Sequence, residues 1–141
     1  MTVTKLLVGA LAATSLVSAT LPKLHGVNLA GLDFGMDING NSGNFVGPPI
    51  DQIDHFASKG ANAVRIPFGW QYATPSLGGT LDANFFKTLD ALVQRGLSKG
   101  NWVILDLHNY ARWNGGIIGQ GGPTNAQVHP CPALYPKPSS S

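Results

Sequence analysis

Apolar residues recur at two different spacings along the chain, and each spacing predicts a different kind of element. Three short apolar runs predict strands over residues 24–29, 63–68 and 102–107. Between them, apolar residues three or four positions apart predict two helices. The helices carry Ile50, Ile53, Phe56 and Ala57, ending at Gly60, and Phe85, Phe86, Leu89, Leu92 and Val93, ending near Gly96 or Gly100. Strands that alternate with helices predict an α/β fold with a parallel sheet.

Side-chain alternation along the strands predicts which residues face the helices. They are Val64, Ile66 and Phe68 in the second strand and Val103, Leu105 and Leu107 in the third. Arg65 and His108 then lie on the inner face, and with Asn28 they stand at the carboxyl ends of successive strands. In (β/α)8 barrels that rim carries the chemistry. The alternative is that each residue caps a strand or bonds a loop carbonyl, and Asp106 is expected to make a polar contact inside the barrel.

The first nineteen residues have the pattern of a secretory signal. Lys5 precedes an uncharged apolar run over residues 6–17, and small residues follow at 17–19. A membrane anchor is the alternative, but a spanning helix needs about twenty apolar residues. We therefore expect residues 1–19 to be cleaved and the mature chain to be secreted, extracellular and free of the membrane.

Composition excludes several other classes of function. The chain has 141 residues, 43% of them hydrophobic, and a formal net charge of +2 without a basic cluster, which argues against nucleic acid as a partner. The single cysteine, Cys131, has no partner for a disulfide within the chain. No His, Cys or acidic residues have the spacing of a metal site, so we expect neither metal nor cofactor.

Three segments resemble glycoside hydrolase family 5, and within it the fungal endo-β-1,4-glucanases. They are residues 26–31, 62–70 and 103–115, the last continuing through residue 127, and the resemblance covers residues 24–127. The twenty-five-residue run that begins VILDLHNYARWNGG is highly specific. The resemblance implies a (β/α)8 barrel that hydrolyses internal β-1,4-glucosidic bonds of cellulose or β-glucan with retention, acting as a monomer on a polysaccharide.

The resemblance also implies roles for individual residues. Arg65 matches a rim arginine that bonds the nucleophilic carboxylate, and a nearby cation keeps a carboxylate ionised. His108 matches a histidine that lines the subsite of the scissile sugar. Candidates for substrate binding are Asn28, Trp70, Asn109, Tyr110 and Trp113. For Asn28 a structural role is the alternative, and for the two tryptophans the alternative is burial.

The sequence lacks the family's catalytic pair. Retaining glycosidases use two carboxylates about 5–5.5 Å apart; in this family both are glutamates, after the fourth and seventh strands. All seven acidic residues here are aspartates. We therefore expect no catalytic residue, an N-terminal fragment of about three βα units over residues 20–127, and no turnover by this chain alone.

The end of the sequence departs from the family. Residues 128–141 contain four prolines and three serines, a composition that excludes a regular helix. We expect an aberrant tail that results from a truncated or altered reading of a longer gene, with a genuine short linker as the alternative. We also expect a fragment that is poorly stabilised on its own because its third strand leaves an edge unpaired. The alternatives in function are a secreted, non-catalytic glucan-binding protein and a fragment of a mannan-degrading glycosidase.

Overall fold

A computed structural model describes residues 22–37, 40–41 and 43–128. The predicted signal and nearly all of the predicted tail lie outside the described residues. The elements, in chain order, are β1 Gly26–Asn28, β2 Met36–Asp37, β3 Gly40–Asn41, α1 Asp51–Ser58, β4 Ala63–Phe68, α2 Trp70–Ala73, α3 Ala83–Ser98, β5 Trp102–Leu107, β6 Arg112–Trp113, β7 Gly116–Ile117 and α4 Asn125–Val128.

The predicted parallel sheet is confirmed. Its order is β1-β4-β5, with α1 and α3 as the two crossover connections. Strand β1 is shorter than the sequence predicts, and just before it the His25 N–H donates to the Asn62 side chain at 2.9 Å. The connectivity is that of consecutive βα units, in which all three strands end at the same edge of the sheet.

The predicted division of the strands into two faces is also correct. Val64, Ile66 and Phe68 are at most 2% exposed and pack with Leu89 and Leu92 of α3. Burying such side chains stabilises the fold by about 1.5–3 kcal/mol each. The opposite face of β5 is open in the described part of the chain, where Trp102 is 50% and Ile104 48% exposed.

Helix α3 begins and ends where local chemistry favours it. The Asp82 side chain accepts a hydrogen bond from the Phe85 N–H at 2.7 Å, which is a standard N-cap. The helix continues past Gly96, one of its two predicted ends, and finishes before Gly100, whose φ is +73°. Gly96 serves packing instead, since a Cβ there would lie 2.8 Å from the nearest methyl of Val103.

An ion cluster joins the two long helices on the outside of the sheet. Asp54 of α1 pairs with Arg95 and, at 3.2 Å, with Lys99 beyond the end of α3. The hydrogen bond from Arg95 is the main reason that the pKa of Asp54 lies below its usual range. The contribution of the Asp54–Arg95 pair to the packing of the two helices therefore depends on pH.

Two small antiparallel strand pairs and two short helices lie outside the three strands and two helices that the sequence predicts. The clearest is the pair β6–β7, joined by Asn114 and Gly115, both with positive φ (45° and 81°). Asn-Gly is the characteristic two-residue hairpin turn, so a turn signal was present in the sequence. Within the described residues, no helix is long and apolar enough to cross a membrane.

Candidate functional site

The carboxyl ends of the three parallel strands bring four polar side chains into one cluster. Arg65 of β4 donates to Asn28 of β1 on one side and to Asp106 of β5 on the other. His108, just beyond β5, places Nδ1 3.0 Å from the same Asp106 carboxylate. The side chains of Arg65, Asp106 and His108 are about one-third exposed, so the cluster lies open to a ligand. The structure thus brings together Asn28, Arg65 and His108, as predicted from the strand ends.

The expected polar contact of Asp106 proves to be an ion pair with Arg65. The family resemblance pairs Arg65 only with a carboxylate from elsewhere in the family fold and does not join it to Asp106. The signal was available, because Pro67 lies opposite Asp106 in the register and Arg65 shares the Pro67 face. Within the described chain, Arg65 already has a carboxylate partner.

The position of Asp106 also fixes how His108 is oriented. Nδ1 lies 3.0 Å from the carboxylate and 3.3 Å from the Arg65 guanidinium, which can only donate. We assign the hydrogen on Nδ1 to the shorter contact, with Asp106 as acceptor. Nε2 is then the ring nitrogen without a partner inside the cluster, available to a ligand.

Asn109 is a structural link and not an exposed ligand. It is 6% exposed. Its Oδ1 accepts from the Trp70 N–H at 2.6 Å, and its Nδ2 donates to Gln71 Oε1 at 2.6 Å and to the Arg112 carbonyl at 3.0 Å. These bonds join the loop after β4 to the loop after β5. The prediction that Asn109 binds substrate is not supported by this geometry, since its amide is fully used. The sequence does not predict Gln71 or Arg112 as its partners, because nothing in their spacing relates the two loops.

Trp70 is also unsuited to its predicted role. Its side chain is only 3% exposed, so neither face of the indole is open for stacking on a sugar. Trp70 begins α2, with only Gly69 between it and β4, and its ring lies in the protein interior. Of the two readings that the sequence left open for Trp70, the structure therefore favours burial.

Tyr110 has the opposite character. It is 54% exposed, and its ring meets the His108 ring edge-on with centroids 5.0 Å apart. Tyr110 and Ala111 have φ of 52° and 54°, a left-handed conformation that is costly for residues other than glycine. The flanking Asn109 bonds hold this strained pair, and strain of this kind clusters at ligand-binding sites. The exposed ring next to His108 is thus held in place by the backbone.

Trp113 lies half-buried in β6. Its indole Nε1 is buried without a hydrogen-bond partner in the described residues, whereas buried donors are nearly always paired. The remaining predicted substrate-binding residue, Asn28, is exposed and accepts from Arg65. Within the described residues, no three His, Cys or acidic side chains are placed so that they could hold a metal ion.

Comparison with known proteins identifies the family of this chain. The family model for cellulase, glycosyl hydrolase family 5, matches residues 26–131. The chain belongs to glycosyl hydrolase family 5. It is 55% identical over 113 residues to the manganese dependent endoglucanase Eg5A of Phanerodontia chrysosporium, an alignment that covers 78% of this chain and 29% of that protein. The described part of this family 5 chain offers no ligand cluster for the metal in that relative's name.

Solved structures of family 5 endoglucanases resemble the chain in three dimensions. Cel5A (EG2) from Hypocrea jecorina is 45% identical with a TM-score of 0.69, over 74% of this chain and 37% of that one. XacCel5A in complex with cellopentaose is 33% identical with a TM-score of 0.59, over 67% and 31%. The predicted fold class, part of a (β/α)8 barrel, is confirmed. The chain spans between 29% and 37% of the length of these relatives.

Proposed function

We propose that this family 5 chain contributes one wall of the substrate cleft of a secreted endo-β-1,4-glucanase. The observation that carries the proposal is the cluster formed by Arg65, His108 and Asp106 at the strand ends, with the Tyr110 ring exposed beside it. The resemblance of residues 103–127 to fungal endoglucanases supports the same activity. The apolar pattern of residues 1–19 supports secretion.

Each residue of the wall has a task that its chemistry fits. The Arg65 guanidinium is permanently charged and directional, so it can hold a second carboxylate in the ionised form that nucleophilic attack requires. His108 offers Nε2 to a sugar hydroxyl. The exposed Tyr110 ring offers an apolar face with a polar tip, which suits a pyranose ring. Asn28 and Trp113 are retained as further sugar contacts.

The substrate that we propose is a β-1,4-linked glucan. The cellopentaose complex of XacCel5A supports this class of ligand. Because the sequence contains no glutamate, the 141-residue chain provides the supporting residues but not the two catalytic carboxylates. We therefore propose that it binds glucan without hydrolysing it on its own. The absence of glutamate also favours the second candidate, a secreted glucan-binding protein, over a mannan-degrading fragment. No feature of the described residues supports the mannan-degrading alternative.

A chimera separates the two candidates. Residues 26–128 replace the matching segment of Hypocrea jecorina Cel5A, and the hydrolysis of carboxymethylcellulose is measured. The endoglucanase proposal expects activity close to that of the parent, and a loss of about 10²-fold or more in kcat for Arg65→Ala, since Arg65 supports charge in the reaction. An exposed control, Lys59→Ala, should keep full activity.

The unmodified 141-residue chain is tested in parallel for retention on cellulose and for turnover. Retention without turnover fits the proposal for the isolated chain. Turnover by that chain would refute the claim that it lacks a catalytic pair. An inactive but folded chimera would leave the glucan-binding candidate in its place.

A further inference from the structure

Met36, in the short strand β2, packs against the end of β4 where the loops of the rim begin. The sequence has two methionines, and the other, Met1, belongs to the predicted signal. A Cβ added at Gly69 would lie 2.6 Å from Met36 Cγ and 3.0 Å from Sδ, so the thioether packs directly on the glycine. The Met36 side chain is half-buried, which leaves it within reach of small molecules in solution. Met36 therefore combines a close packing contact with chemical accessibility.

The Tyr72 ring borders the same space as the Met36 sulfur. The added Cβ at Gly69 would lie 2.8 Å from Tyr72 Cδ2, which places the sulfur within about 6 Å of the ring edge, close to the range of sulfur–aromatic contacts. The Phe45 ring packs edge-on against Tyr72 with centroids 5.1 Å apart, and the Tyr72 hydroxyl donates to the Phe34 carbonyl at 2.6 Å. Tyr72 is thus held at its ring and at its hydroxyl. A larger group at position 36 therefore has to displace the backbone at Gly69 or the loop that carries Met36.

Gly69 lies between two residues that hold the loop after β5. The Phe68 carbonyl accepts from the His108 N–H at 2.9 Å, and the Trp70 N–H donates to Asn109 Oδ1 at 2.6 Å. Displacement of the backbone at Gly69 disturbs both bonds, because their partners on β4 and α2 are its immediate neighbours in the chain. The packing of the Met36 sulfur is therefore connected to the position of His108 in the cluster.

We propose that Met36 is a site of reversible oxidation by hydrogen peroxide, and that its sulfoxide weakens the wall of the cleft. The sulfur lone pair attacks one peroxide oxygen, the O–O bond breaks, and an S–O bond forms while the other oxygen leaves as water. The sulfur is oxidised by two electrons and the peroxide is reduced by two.

The sulfoxide fits the space around Met36 less well than the thioether does. Its added oxygen is polar and requires a hydrogen-bond donor. The Gly69 N–H already donates to the Leu32 carbonyl at 3.0 Å, and the Tyr72 ring edge offers carbon atoms. Oxidation therefore loosens the contact between the loop after β1 and the end of β4. The oxidation itself depends only on this packing, whereas its effect on hydrolysis rests on the proposed function.

The test treats the Cel5A chimera with hydrogen peroxide, beside the same chimera carrying Met36→Leu. Leucine keeps a similar apolar volume without a sulfur, so the untreated variant should match the untreated parent. Mass spectrometry of the digested chimera should find one added oxygen on the peptide that carries Met36. Treatment should lower Tm by about 2–4 °C and kcat/KM on carboxymethylcellulose by about three- to tenfold, beyond any change in the variant. Methionine sulfoxide reductase should restore both values.

The outcomes separate this inference from the proposed function. If Met36 takes up no oxygen, or if peroxide lowers Tm equally in the parent chimera and in Met36→Leu, the inference is overturned. An unchanged kcat/KM beside a lowered Tm would overturn the connection between Met36 and the wall. A folded chimera without activity would refute the proposed endoglucanase function, and the mass and Tm measurements would still decide whether Met36 is an oxidation site.

Discussion

The most demanding prediction concerns Asn109, whose amide joins two loops. Replacing it with leucine keeps a similar volume but removes three hydrogen bonds, to Trp70, Gln71 and Arg112. The Trp70 N–H and the Gln71 side chain are in regions at most 6% exposed, so water replaces the lost partner poorly. An orphaned buried group costs about 1–3 kcal/mol. The Gln71 amide nitrogen keeps its bond to Asn114 Oδ1 at 3.2 Å, which holds that side chain in place, and we expect a total loss of about 2–4 kcal/mol.

The measurement is thermal unfolding of the Cel5A chimera, followed by circular dichroism, for Asn109→Leu and two controls. A loss of this size should lower Tm by about 4–10 °C. Asn109→Asp keeps the acceptor for the Trp70 N–H but sets a carboxylate oxygen against the Gln71 and Arg112 oxygens, and it should therefore lose stability as well. Asn84→Leu alters an exposed amide of α3 and should stay within about 0.5 kcal/mol of the parent. A Tm for Asn109→Leu equal to that of Asn84→Leu would refute the reasoning, because the amide would then carry no buried bonds that matter.

Two further predictions concern the helix layer. The pKa of Asp54 is lowered in the folded chain, so its ion pair stabilises the fold above the ordinary carboxyl pKa, and this contribution disappears as pH falls through the folded value. Asp54→Asn should therefore destabilise the chimera at pH 7, and its Tm should converge with that of the parent below about pH 4. The measurement is Tm as a function of pH. The control is Asp51→Asn, an exposed change in the same helix, whose Tm should show no such convergence. Gly96→Val should cost about 1–3 kcal/mol, because its Cβ meets Val103 at 2.8 Å. Ala91→Val at an exposed site of α3 is the control, and equal Tm values for these two variants would contradict the packing argument.

Sequence periodicity was sufficient to predict the strands of the sheet, because burial of one face imposes a regular pattern of apolar residues. Val64, Ile66 and Phe68 alternate with Arg65, and this alternation alone placed Arg65 at the inner rim. The strand ends then located His108 as well. These features depend on neighbours in sequence and on the period of a strand, which a single sequence records.

The roles of the loop residues were harder to predict. Asn109 and Trp70 both lie in segments that resemble family 5. Whether such side chains face a ligand or the interior depends on contacts between loops 38 or 39 residues apart in the sequence. No local spacing encodes those contacts. The same holds for the Arg65–Asp106 pair, for which the alternation gave the correct face but not the partner. The surroundings of these loop side chains therefore required the structure, whereas the placement of the strand residues followed from the sequence.

The left-handed pair at Tyr110 and Ala111 has a consequence for the thermodynamics of binding. Ordering a backbone residue costs about 1–2 kcal/mol in conformational entropy, and here that cost falls on the folding reaction, since the loop is already ordered by Asn109. A sugar that docks on the Tyr110 ring then meets a surface that has little freedom left to lose. Affinity at this wall should accordingly arise from contact enthalpy and from water released by the ring, with a small entropic penalty from the protein itself.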